Sequence, residues 1–301
     1  MFSDVLVIAD IEGSADCWSY EDSSFKTPGW ARACLGMTRD VAAVVEALLG
    51  GGVRRVAVKD FHRTGYNIFP DMLPAGVRVM QGYAAGPVPG IGDPGGAEAV
   101  MFIGMHAASG SGGLLAHTLT SRIARLEANG RLLSEVELFA ASLAPRGVRP
   151  VFFSGCPVAC AQARAAVPGI SVLAIDKSGG PGSLDEREWR NELAAAAVRA
   201  LGNCEAEPYR PSGPFDAVVT MRDGAATGEK LARRWKLPVR GADIIIRAGD
   251  INELYMALVR LCYLTPLLEK IAPAALGLYG VAGRYGLRWA RKELVRRRLL
   301  P

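Results

Sequence analysis

Short apolar runs recur along the first two-thirds of the chain, at residues 5–9, 54–59, 77–80, 99–104, 149–153 and 171–175. Runs of this length without polar alternation are those of strands buried on both faces. Between several of them the apolar positions take helical spacing. DVAAVVEALLGG, residues 40–51, ends in glycines, and Thr38 stands where an N-cap would. Pro157 can open a second helix at PVACAQARAAV. Strands interleaved with helices predict an α/β fold with a mostly parallel sheet and helices on both faces. Ligands in such sheets bind at the carboxyl ends of the strands.

The segment SGGPGSLD, 178–185, reads as a linker or tight loop, and the rhythm changes after it. A helix fits 186–201, a strand 215–221, a helix 224–236, a strand 239–247 and a long helix 250–269. The expected division is a catalytic α/β domain over 1–180, a smaller α+β domain over 186–270 and a basic helical tail over 271–301.

The strand ends carry the chemistry. In VLVIADIEG, residues 5–13, Asp10 and Glu12 stand two apart at the end of the first strand. Residues so spaced on an extended chain point to one side, and two like charges there ask for a cation between them. AVKDFHRTG places Asp60 and His62 after the second strand. VMFIGMHAASGSGGLLAHT places His106 past another strand, then a glycine-rich loop, then His117. These are all three histidines of the chain. Gathered with Asp10 and Glu12 on one edge, they form a donor set suited to zinc. A further acid pair, Glu135 and Glu137, opens a helix after a hairpin turn at Asn129-Gly130. One of the two can face the site and the other solvent. Two solvated helix-face glutamates is the bland alternative.

In order and spacing, VLVIADIEG, KDFH, GMHA, GGLLAHT and SEVELFAA resemble the D-aminopeptidase family of zinc metallopeptidases, the type encoded with bacterial dipeptide-transport operons. Weaker similarity runs through IIIRAGDINELYMAL to about residue 269. The resemblance implies two zinc ions per chain that share Asp10, with Glu12, His62, His106 and Glu135 as the other ligands. Two divalent ions against three carboxylates leave +1, and such a pair can activate a water toward a carbonyl. The resemblance makes His117 the catalytic residue rather than a ligand. It also implies a two-domain fold, a homo-oligomeric ring around enclosed active sites, and hydrolysis of short peptides or small amides with preference for N-terminal D-amino acids.

One segment departs from the family. SGCPVACAQA has Cys156 and Cys160 where the family carries acids. A cysteine at a strand-to-helix turn, with Asp10 and Lys59 on neighbouring strand ends, resembles the nucleophile, acid and lysine of isochorismatase-like cysteine hydrolases. That alternative leaves the histidines unexplained. Two buried thiols are the simpler reading of the pair. A non-catalytic metal- or peptide-binding protein on the same fold is the other alternative, against which stands the presence of His117.

Charge sharpens the picture of partners. The net charge is +5, yet from Arg284 onward seven Arg/Lys face one Glu, so the rest of the chain carries −1. A nucleic-acid footprint on the body is therefore not supported. The tail RYGLRWARKELVRRRLLP can form a basic helix with Trp289 and leucines on one side. A solvated face or a subunit contact is the preferred reading, with a membrane surface as the alternative. MFSDVLVIAD has no basic n-region, and IAPAALGLYGVAG is too short to span a bilayer, so a soluble cytoplasmic protein is expected. The six cysteines are too sparse for a disulfide framework.

Overall fold

In chain order the elements of the computed structural model, which describes residues 2–84, 86–203 and 205–301, are β1 (Asp4–Ala9), α1 (Pro28–Gly50), β2 (Arg55–Asp60), β3 (Arg78–Met80), β4 (Ala99–Met105), β5 (Ile123–Ala128), β6 (Arg131–Leu132), α2 (Glu135–Leu143), β7 (Arg149–Gly155), α3 (Pro157–Ala166), β8 (Ser171–Ala174), α4 (Glu186–Ala200), β9 (Phe215–Met221), α5 (Ala225–Trp235), β10 (Val239–Arg240), β11 (Asp243–Ala248), α6 (Ile251–Tyr263), α7 (Pro266–Lys270) and α8 (Ala272–Arg296). Cys204 lies outside the described residues.

The six apolar runs pair as one parallel sheet in the order β3-β2-β1-β4-β7-β8. From β1 the chain moves outward on one side to β2 and β3, then returns to the other side with β4. The strand order thus reverses between β1 and β4, the place where open α/β sheets leave a crevice for ligands. Side-chain alternation along β1 divides the interior in two. Val5, Val7 and Ala9 pack with α1 and α4, while Leu6 and Ile8 pack with α2 and the second sheet.

That second sheet is antiparallel, in the order β10-β11-β9-β5-β6. It draws β5 and β6 from before β7 and the rest from after α4. The β5–β6 hairpin turns at Asn129 and Gly130, with φ of 51° and 78°, the positive pair that a tight two-residue turn needs. Ile123, Leu126, Val219, Ile244 and Ile246 join it to the core that holds Leu6 and Ile8.

Three elements differ from the sequence reading. Helix α1 starts at Pro28 with Thr27 as its cap, not at Thr38. Thr38 is buried mid-helix, where its hydroxyl donates to Cys34 O and accepts from Phe69 N. A threonine satisfies itself on the preceding turn as readily as it caps, so the residue type alone did not mark the boundary. The expected helix 250–269 breaks at Leu264 and Thr265, both extended, because Pro266 disfavours helical backbone in the residue before it. The expected strand 239–247 folds back on itself as β10 and β11 at Gly241, φ 61°.

The tail is not a free helix. One face of α8 carries Gly280, Gly283 and Gly286 against the Tyr66 and Phe25 rings. Trp289 stacks on Trp30 at 6.3 Å, and Ala290 and Leu294 are fully buried. The tail therefore docks within its own chain. Among the described residues, no helix is long and apolar enough to cross a membrane.

Close approach by glycine makes this docking testable. A Cβ on Gly286 would sit 2.3 Å from Phe25 Cε2, whereas one on Gly277 of the same helix meets nothing within 4 Å. Gly286→Ala is expected to destabilise the protein by about 1–3 kcal/mol through overpacking. Gly277→Ala should be neutral or stabilise by up to about 1 kcal/mol from helix propensity. Denaturant unfolding of the two variants measures this, and equal effects would refute the docked helix.

Candidate metal centre

The carboxyl ends of β2, β1 and β4, three neighbouring strands, bring His62, Asp10 and His106 together. Asp10 follows β1 directly. The turn after it presses against the end of β4, with Gly13 N donating to Gly104 O at 2.8 Å. The approach is too close for side chains. A Cβ on Gly104, whose φ is +73°, would lie 2.3 Å from Asp10 O, and one on Gly13 would lie 2.4 Å from Met105 O. The glycines of IEG and GMH thus let the two donor-bearing turns share one edge.

The Asp10 carboxylate lies between the two imidazoles. Its Oδ1 is 2.9 Å from His62 Nδ1 and its Oδ2 is 3.3 Å from His106 Nε2. Glu12 reaches the same space, its Oε2 3.2 Å from His62 Nδ1. Glu135 enters from the first turn of α2, its Oε1 3.6 Å from His106 Nε2 and accepting from Leu119 N at 2.6 Å. Asp10, Glu12, His62, His106 and Glu135 are all buried. Glu137, the other member of the acid pair, does not face solvent. It is buried at the helix start, where its carboxylate accepts from Ser134 N and Oγ and pairs with Arg131 at 2.6 Å. Capping therefore occupies Glu137 and leaves Glu135 for the site.

His117 lies beside this group, its ring stacked on His106 at 3.8 Å and 11°. Its Nδ1 donates to Leu115 O at 2.8 Å, which leaves Nε2 as the free nitrogen. Leu115 and Leu119 on either side of it have φ of 51° and 62°. Left-handed backbone at leucine is costly, so the surrounding packing holds this loop in place.

Burial works against every charge here, and the neighbours decide the outcome. Burial would push the Asp10 carboxyl up, but His106 and His62 outweigh it and hold the carboxyl well below its usual range. Burial likewise opposes the His62 imidazolium, yet Glu12 and Asp10 raise it to about 10. His106 is raised well above its ordinary value by Glu135 and Asp10, again against burial. Glu135 is pushed up to about 7, chiefly by burial. Burial and the neighbouring His106 push His117 down to about 4, so it is neutral at pH 7. Protons on two imidazoles thus offset the buried carboxylates only in part.

These residues fit a divalent metal on two structural grounds. Glu12 Oε2 and His106 Nε2 are buried without a hydrogen-bond partner, although they lie among donors and acceptors. Such orphaned atoms are costly unless something else satisfies them. Moreover, single donor atoms of Asp10, Glu12 and His106 all lie within 4.8 Å of one another, as do those of His106, His117 and Glu135. The two groups share His106.

Several residues outside the expected donor set hold the donors in place. Asp60, fully buried, accepts from Asn67 N, Asn67 Nδ2 and Ile68 N, and Asn67 Nδ2 also donates to His62 O at 2.7 Å. This ties down the turn that carries His62. On the other side, Lys177 Nζ donates to Glu12 O at 3.1 Å and to Ser14 O and Cys17 O at 2.5 Å. Asp40 of α1 accepts from Ala15 N at 2.9 Å. A lysine just past β8, another strand end of the same edge, was the one available signal. Neither Cys156 nor Cys160 belongs to either donor group. Cys156 precedes α3 and is buried, and Cys160 donates to Gly155 O and Leu173 O, its thiol pushed up to about 12 by burial. Lys59, fully buried, donates to Gly82 O against the Tyr83 ring rather than pairing with Asp10.

The three carbonyls gathered by Lys177 generate a prediction. Lys177→Met keeps the stem and removes the cation, so the Glu12 turn loosens. Competition with a chelator is expected to show metal affinity roughly tenfold weaker, as for other residues that orient ligands. Exposed Lys292→Met is the control, and equal affinities in the two variants would dismiss the clamp.

No protein of curated function matches the sequence. A solved structure is similar, that of the Zn-dependent D-aminopeptidase DppA from Bacillus subtilis, described as a self-compartmentalizing protease. The match has a TM-score of 0.76 at 18% identity and covers 86% of this chain and 96% of that one, which establishes a shared fold. The sequence profile of a family described as Peptidase_M55, D-aminopeptidase, matches residues 4–258. That span contains every donor described above, and the chain accordingly belongs to the D-aminopeptidase family of peptidases, which are hydrolases.

Proposed function

We propose that the protein is a dinuclear zinc aminopeptidase that releases N-terminal residues, preferentially of D configuration, from short peptides or small amides. The observation that carries this reading is the buried donor cluster at the β1–β4 crevice, with Glu12 Oε2 and His106 Nε2 unpaired. Asp10, with one oxygen toward His62 and the other toward His106, is the residue suited to serve two ions. Glu12 and His62 would complete one site, and His106 and Glu135 the other. Zinc is favoured by the mixed imidazole and carboxylate set and by the zinc dependence of the structural neighbour. Bound there, it would supply the Lewis acidity that makes a water nucleophilic near neutral pH. That neighbour is also self-compartmentalizing, which supports a homo-oligomer with enclosed sites for this chain.

The protein's own groups supply the proton chemistry. His117 is neutral, and its Nδ1–H is committed to Leu115 O, so Nε2 presents a lone pair. It can take a proton from the attacking water and return it to the leaving amine. The buried walls exclude bulk water and strengthen these interactions. A donor atom of His117 also lies within 4.8 Å of donor atoms of His106 and Glu135, so a ligand role is the alternative that its substitution decides.

Metal content and turnover of paired D- and L-alanyl amides test the reading together. Asp10→Ala is expected to lose both ions, and His62→Ala to weaken one. His117→Ala should keep its metal and lose on the order of 10²–10⁴-fold in rate. Loss of metal in His117→Ala would make it a ligand. Faster turnover of the L series would remove the D preference, and unchanged metal content in Asp10→Ala, His62→Ala and a matching His106→Ala would overturn the metal centre. Cys156→Ser should retain activity; inactivation by iodoacetamide with indifference to chelators would instead select the thiol-hydrolase alternative.

The raised histidines set a pH dependence. His62 stands at about 10 in the metal-free site against an ordinary 6.5. A group raised on folding contributes stability that is complete below about 6.5 and lost as pH rises through about 10. Metal must displace that proton, so affinity rises with pH over the same window. Zinc titration near pH 6 and near pH 8 should show tighter binding at the higher pH, with proton release. Equal affinity and no proton release would contradict it.

A further inference from the structure

The family match ends at residue 258, yet the chain beyond it reaches the metal centre at two points. At the end of α6, the Tyr263 hydroxyl donates to Leu119 O. Leu119 in turn gives its N–H to the Glu135 carboxylate and lies two residues from His117. On α8, the Tyr279 ring stacks on Tyr83 at 6.4 Å and 23°. The Tyr83 hydroxyl donates to Phe61 O at 2.9 Å, next to His62, and its ring meets Phe61 edge-on at 5.4 Å. Through Leu119 and Tyr83, both later tyrosines thus connect to the loops that carry His117 and His62.

These two tyrosines are not packed away. Tyr263 is 51% and Tyr279 45% exposed, although Tyr263 is tethered to the loop of His117 and Tyr279 rests on Tyr83. Phenol rings held at one end and open at the other are suited to contact a ligand: they offer large, stiff, mostly apolar faces at low entropic cost. The part of the helix that presents Tyr279 is uncharged, because residues 271–283 contain no Asp, Glu, Lys or Arg.

We propose that Tyr263 and Tyr279 form an aromatic rim over the metal centre that selects substrates with an aromatic or large apolar side chain beside the scissile bond. The tail thus acts as a specificity element added to the family's catalytic body. This inference rests on the peptidase reading above for its reaction. The rim itself contacts the substrate side chain, and neither tyrosine takes part in the proton transfers.

The test compares amides of phenylalanine and alanine, in both configurations, on the zinc-loaded protein and on Tyr263→Ala, Tyr279→Ala and Tyr263→Phe. Wild type should favour the phenylalanine amide in kcat/KM, through KM. Each alanine variant should lower that preference by about three- to tenfold, the scale of an aromatic contact, with metal content unchanged. Tyr263→Phe keeps the ring and should keep the preference. Calorimetric binding of the same amides carries the comparison without turnover, so a protein that hydrolyses neither amide fails the peptidase reading while still testing the rim. An equal preference in wild type and both alanine variants would overturn the proposal. Loss of metal from the alanine variants would do so too, since the rings would then serve to position the ligand loops.

Discussion

Everything at the active edge depends on one buried carboxylate, that of Asp10, held between His62 and His106. A carboxylate removed from water must be matched by positive charge, because breaking one partner from a buried pair costs about 3–5 kcal/mol. Glu12 and Glu135 add two more acids within reach of the same imidazoles. The site is therefore a place where negative charge has been concentrated beyond what hydrogen bonds can settle. Two orphaned polar atoms are the visible remainder of that imbalance. A divalent metal, as proposed above, would settle that imbalance, and the fold holds the candidate donors in position for one.

Holding them still takes more residues than the donors themselves. Each donor-bearing turn is pinned by a different element. Asp60 and Asn67 secure the turn of His62, and Trp30 of α1 in turn donates to Asn67 Oδ1 at 2.9 Å. Lys177 and Asp40 secure the turn of Glu12. Glu137 and Ser134 cap the helix that starts with Glu135. Because α1 supplies both Trp30 and Asp40, one long helix braces two sides of the centre. It also receives α8 through the Trp30–Trp289 stack. The tail is thereby coupled to the site along a chain of packed rings.

Much of this was legible from residue order, for reasons that are local. Each strand of the parallel sheet is a short apolar run, since both of its faces are covered. The donors follow these runs directly, at Asp10, His62 and His106, because in a parallel sheet the end of each strand is where the chain turns over the active edge. Asn129-Gly130 announced the hairpin, whereas the helical period across 250–269 hid the break at Pro266. Thr38 misled because its hydroxyl has two equally good local partners, a helix terminus or the preceding turn. Glu137 was expected in solvent because a helix-face glutamate normally is, and its burial depends on Arg131 and Tyr209 reaching it from other elements.

The sequence by itself determined the six strands of the parallel sheet and placed Asp10, His62 and His106 just past the ends of three of them, since these follow from hydrophobic period and from residues within a few positions of each strand end. Tertiary structure alone decided that Glu137 is buried as well as Glu135, that Lys177 clamps a turn more than 160 positions away, and that the basic tail docks on α1 through Trp289 and Trp30. These outcomes depend on contacts between segments far apart in the chain. No local pattern encodes such contacts, because their energy exists only once both surfaces have been brought together.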